Sequence, residues 1–278
     1  MLKNLLSRLR AALLPEPTAA VEISANQRDI LLSKVEFYRS LTPSDKKLFE
    51  QRCVSFIENT EIVGHELDVS EADKLLIASG SVILAWGFKQ WHYVNVDTVY
   101  LVPGSFNDSS EFRQQDSNIT GLVGTAHLKG KMILSQPALH QGFDNNRDKR
   151  NVAIHEFAHL IDMADGDIDG LPRQISEHGY ALPWLELVTR KIKEINYGKS
   201  DIRDYGGTNN AEFFSVASEY FFERPKLLKR KHPLLYKHLE RFYKQNRADV
   251  HVAERLRKKA PCPCGSGKRY KRCCMVKV

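Results

Sequence analysis

Between residues 151 and 162 the chain reads NVAIHEFAHLID. Val152, Ile154, Phe157, Ala158, Leu160 and Ile161 make this a helix that is apolar on most of its sides. The same helix carries His155, Glu156 and His159, and burying two imidazoles and a carboxyl in hydrocarbon is costly unless something pairs them. The histidines are four residues apart and so lie on one helical face. With a glutamate directly after the first, this is the spacing by which two imidazoles share a metal ion with a carboxylate beside it. The fold must therefore bury this helix and bring at least one further ligand to it.

The stretch YGGTNNAEFFSVASEYFFERP, 205–225, can supply that ligand. Glu212 and Glu219 are seven apart on one face, among Phe213, Phe214, Val216, Tyr220, Phe221 and Phe222. One acid binding zinc and the other supporting a histidine would account for both, with salt bridges to basic residues the lesser reading. Spacing does not choose between the two. Two histidines and one glutamate leave a fourth zinc position for water, whose acidity the metal raises. Glu156 would take that water's proton as it attacks a peptide carbonyl, then pass it to the leaving amine. Asp162, two turns after His155, could accept a hydrogen bond from a ligand histidine's second nitrogen; its other role is as a polar residue closing the helix. The following DMADGDIDG spaces its acids as calcium loops do, but loop position twelve is Ser176 rather than glutamate, and a solvated turn fits better.

Around this pair the pattern predicts helices over 27–40 and 44–59, the second capped by Thr42 or Ser44, and a largely apolar helix opened by Ser70. Strands are expected at 97–103, 120–127 and 130–136, a polar loop at 104–118, and helices at 147–163, 183–196, 209–223 and 232–246. The order argues α+β, mainly helical with a small mixed sheet. GKMILSQ, 130–136, is the candidate for an edge strand that holds substrate by backbone pairing, an internal strand being equally compatible. No window is apolar for the roughly 20 residues a membrane span needs. The leucine stripe of MLKNLLSRLRAALLPEP is broken by charges, unlike a secretory signal, so the chain is read as cytoplasmic. Cys53 reads as a buried core thiol.

The combination of HEFAHLID with DYGGTNNAEFFSVASEYFFERPKLL and the preceding helix–strand order resembles the Mlc titration factor A family of zinc peptidases, over about residues 25–245. That resemblance implies a gluzincin-like metallopeptidase with aminopeptidase activity, in a family whose best-known member also binds a glucose-responsive transcriptional repressor. It also implies Glu212 as third ligand and Glu219 as a supporting acid. Tyr205 matches a family tyrosine near the metal, and its phenol could donate a hydrogen bond to the tetrahedral oxyanion, a role the chemistry needs in any case.

Four of the five cysteines lie in CPCGSGKRYKRCC, as Cys262, Cys264, Cys273 and Cys274. Four thiolates so close can complete a tetrahedral zinc shell, and so small a unit would draw most of its folding energy from the metal. The pattern resembles the SEC-C motif, which implies a docking module for proteins or ribosomes. Residues 1–24 then form an amphipathic segment, 25–246 the metallopeptidase domain, 247–259 a basic helical linker and 260–278 the zinc knuckle. Two zinc ions are expected, one catalytic and one structural. The basic tail alone does not argue direct DNA binding. The partners expected are a peptide substrate and a protein, either a transcriptional regulator or a translation-associated protein. The alternative to an enzyme is a regulatory binding protein that sequesters a partner, its metal site secondary.

Overall fold

The structure, a computed structural model, describes residues 23–88, 93–106, 119–124, 129–176 and 180–249, with 268, 269 and 272. The N-terminal leucine stripe, most of the 104–118 loop and the four tail cysteines lie outside the described residues.

In chain order the elements are α1 (Ala25–Lys34), α2 (Glu36–Arg39), α3 (Pro43–Asn59), β1 (Glu61–Gly64), α4 (Glu71–Ala85), β2 (Val96–Val102), β3 (Gly121–Val123), β4 (Gly130–Ser135), α5 (Gln136–Asp144), α6 (Val152–Asp162), α7 (Arg173–Ser176), α8 (Ala181–Asn196), α9 (Asn210–Glu223), α10 (Pro225–Lys231) and α11 (Pro233–Tyr243). Helix starts follow local chemistry. Thr42 accepts from Asp45 N–H at the head of α3, and Ser70 forms a capping box with Asp73 at the head of α4. The helix expected over 27–40 is two helices, because Val35 is extended (φ −98°, ψ 102°). The helix expected from 147 starts only at 152: Lys149 has φ +62° and Asn151 is the cap. The segment expected over 232–246 is α11, preceded by the separate α10.

The sheet order is β1-β2-β4-β3. β1, β2 and β4 run parallel and β3 pairs antiparallel to β4, so the sheet is small and mixed as expected. This corrects the edge-strand assignment. β4 is internal because β2 and β3 pair on either side of it; the edge strands are β1 and β3, and β3 is the one packed on α6. The main core joins the layers, with α6 at its centre and every residue of α6 buried, and Val102, Phe106 and Ile133 form a second, smaller cluster. α4 crosses α6 closely: a Cβ on Gly80 would lie 2.7 Å from Ala153 Cβ. Cys53 is buried there as a free thiol.

Candidate metal centre

Two helices that begin on asparagine caps carry the site. Asn151 accepts from Ile154 N–H at the head of α6, and Asn209 accepts from Glu212 N–H at the head of α9. The caps fix the first turn of each helix, so Glu212 sits where α9 starts and faces the His155–His159 side of α6. His155 Nε2 is 3.0 Å from Glu212 Oε2, His159 Nε2 is 3.4 Å from the same oxygen, and the two Nε2 atoms are 3.2 Å apart. Tetrahedral ligands each about 2.0–2.1 Å from a zinc ion would stand about 3.4 Å apart, so the donor set and its spacing fit zinc. Both histidines are buried, and Glu212 is mostly so.

Glu219, two turns along α9, stands behind this cluster. Its carboxylate accepts from His155 Nδ1 at 2.8 Å, from Asn151 N–H at 2.6 Å and from the Arg203 guanidinium. An acceptor at Nδ1 places that nitrogen's proton there and leaves the Nε2 lone pair facing the cluster. Asp162 does not take that position. Its carboxyl accepts Gly170 N–H at 2.8 Å and bonds neither histidine, because it lies at the far end of α6 under the following loop. Its other oxygen and His159 Nδ1 are both buried without a hydrogen bond.

Glu156 is 4% exposed, and burial pushes its carboxyl above the ordinary range, against the pull of the two histidines. Tyr205, half-exposed on the short turn Asp204–Gly207, has its ring 5.8 Å from that of His155. Burial and then the neighbouring Glu212 carboxylate push its phenol up to about 12, so it remains a hydrogen-bond donor at neutral pH.

Sequence reasoning missed two contributors. Arg203, which pairs with Glu219, is a single arginine in a loop and gives no periodic signal. Gly121 is the other, since a Cβ there would lie 2.4 Å from Glu156 Oε1. On β3, Thr120 C=O accepts from Ser135 N–H and Gly124 N–H donates to Lys131 C=O, so these residues face β4. Gly121 and Val123, of opposite parity, turn their backbone groups to the other side, on which Ile119 just before the strand pairs with Phe106. Among the described residues no strand pairs with β3 on that side.

The family model described as Glucose-regulated metallo-peptidase M90 matches residues 10–244, and the SEC-C motif matches residues 259–275. An uncharacterized protein of Synechocystis is 27% identical over 227 residues, spanning 77% of this chain and 82% of its own. Mlc titration factor A of Escherichia fergusonii is 27% identical over 230 residues, 76% of this chain and 83% of its own. Its namesake in Serratia proteamaculans is 33% identical over 129 residues, 44% and 48% of the two chains.

Proposed function

The chain belongs to the glucose-regulated metallo-peptidase M90 family, and from that premise we propose that it is a zinc-dependent aminopeptidase acting on short peptides, with Glu156 as its proton carrier. The observation that carries the reading is the placement of Glu156. It is a buried carboxyl one residue from His155 and unused by any structural hydrogen bond among those found at the site. A metal site that served only the fold would need no such base.

His155, His159 and Glu212 would hold the zinc ion, which when bound supplies Lewis acidity to a water and to the scissile carbonyl. Glu219 holds His155 in the tautomer that presents Nε2, and Arg203 holds Glu219. Glu156 accepts the proton of the attacking water on its carboxylate and delivers it to the amide nitrogen as the C–N bond breaks and the new C–O bond forms. The Tyr205 phenol donates to the oxygen that gains negative charge. The open edge of β3 holds the peptide backbone by strand addition. Outside the described residues, Cys262, Cys264, Cys273 and Cys274 would hold a second, structural zinc, and their module would dock the enzyme on a protein partner.

A second reading has a specific support. The relatives are named for titration of Mlc, which favours a regulatory protein that sequesters a transcriptional repressor or another partner. Hydrolysis of a panel of aminoacyl chromogenic substrates, measured with zinc content on the wild type and Glu156→Gln, separates the two. The enzyme reading expects the variant to keep its zinc and lose about 10²–10⁴-fold in rate. Equal rates in both proteins would overturn Glu156 as proton carrier. Zinc-loaded protein with no activity in either form would favour the binding reading.

A further inference from the structure

Gly121 opens the edge strand β3, and the space where its side chain would stand is filled by Glu156. A Cβ built there would lie 2.4 Å from Glu156 Oε1, 2.7 Å from Glu156 Cγ and 2.6 Å from Val152 Cγ2. Non-bonded carbons come to rest about 3.5–4.0 Å apart, so any side chain at this position displaces its neighbours. The backbone conformation does not call for glycine: Gly121 is not among the glycines with positive φ, and it sits in regular register opposite Leu134. The demand is for space alone, and the groups that use the space are the Glu156 side chain and the Val152 methyl.

We propose that Gly121 is a positioning residue for peptide hydrolysis, its missing side chain letting β3 close on α6 until the Glu156 carboxylate rests against the strand backbone. The proposal rests on the reading of Glu156 as the proton carrier. Gly121 has two faces with two uses. Its Cα supports Glu156, while its own N–H and C=O turn to the open edge where a substrate strand would pair, about 4.8 Å away. One residue thereby sets the distance between the base and the backbone of a peptide bound along β3. Two of the three obstructing atoms belong to Glu156, whose long side chain can turn away, so adding a methyl group shifts the carboxylate at a modest cost to the fold, borne by Val152, and at a large cost to proton transfer.

Gly121→Ala, in the full-length zinc-loaded protein, tests this. With the aminoacyl chromogenic substrate that the wild type cleaves fastest, kcat should fall about 10²-fold, as for an ångström-scale misplacement. KM, zinc content and melting temperature should stay close to wild type. In the Glu156→Asp background, whose carboxyl is one methylene shorter and already withdrawn from the strand, the same substitution should cost far less. Equal losses in the two backgrounds would overturn the proposal, as would an unchanged kcat in Gly121→Ala. Crystal structures of the wild type and Gly121→Ala give a readout independent of activity: the Glu156 carboxylate should move away from residue 121, and an unmoved carboxylate overturns the idea. Failure of the underlying reading shows separately, as full activity in Glu156→Gln.

Discussion

Glu219 and Glu223 lie one turn apart on α9, both buried, and their environments differ completely. Glu219 accepts from His155, Asn151 and Arg203, so its charge is compensated on every side. Glu223 lines a small cavity with Asn146, Asn151 and Phe222, and neither of its oxygens makes a hydrogen bond; the Arg150 backbone N–H is its nearest relief. Burial, with Glu219 and Asp148 adding repulsion, raises its carboxyl from 4.5 to about 9. The consequence for stability has a definite sign. Below about pH 4.5 the group is protonated in folded and unfolded chains alike. Between there and about pH 9 the unfolded chain releases the proton while the folded chain holds it, so stability falls as pH rises through that window. Glu223→Gln should therefore stabilise the protein by about 1–3 kcal/mol at pH 8. The gain should shrink toward pH 5, and denaturant unfolding at the two pH values checks it. An equal change at both pH values would show that Glu223 does not carry this linkage.

Among the elements, α6 and α9 set the site, and α4 sets where α6 can lie. Gly80 and Ala153 meet with no room between them: a Cβ on Gly80 would stand 2.7 Å from Ala153 Cβ and 3.3 Å from the Phe157 ring. Neither obstacle is the free end of a flexible chain, so Gly80→Ala must push the helices apart, and overpacking of this kind costs about 1–3 kcal/mol. The expected result is a lowered midpoint in denaturant unfolding; an unchanged midpoint would mean that α4 yields freely. The two site helices were legible in the sequence because their apolar period is long and their polar residues stand out against it. Three of the four strands were legible, but neither the four-residue β1 nor the order of the sheet was. A run such as GKMILS carries no sign of whether a neighbour pairs on one side or both, and only the β2–β4 pairing makes it internal. α5 escaped because it is nine residues long and starts on Ser135, the last residue of β4. Arg203 and Gly121 escaped for a different reason: each acts through a long-range contact, Arg203 with Glu219 and Gly121 with Glu156, that no local pattern encodes.

At the scale of the whole molecule, the M90 match ends at residue 244 and the SEC-C match starts at 259, so the two matched regions do not overlap. The metal centre draws His155, His159 and Glu212 from α6 and α9, and among the described residues its hydrogen bonds join these two helices, Asn151 and Arg203. If the cysteine module folds around its own metal and shares no partner with this centre, losing that metal should leave the peptidase site undisturbed, since such sites behave additively. The double substitution Cys262→Ser, Cys264→Ser should remove one zinc equivalent from a wild-type content of two, measured by metal analysis of the purified protein. Hydrolysis of the chromogenic substrates should continue at the wild-type rate. The main unfolding transition should also stay in place, because one buried core joins the described residues from Ile23 to Ala248. Loss of both zinc equivalents, or of activity together with the tail zinc, would mean that the cysteine module supports the active site. The tail would then be part of the catalytic unit.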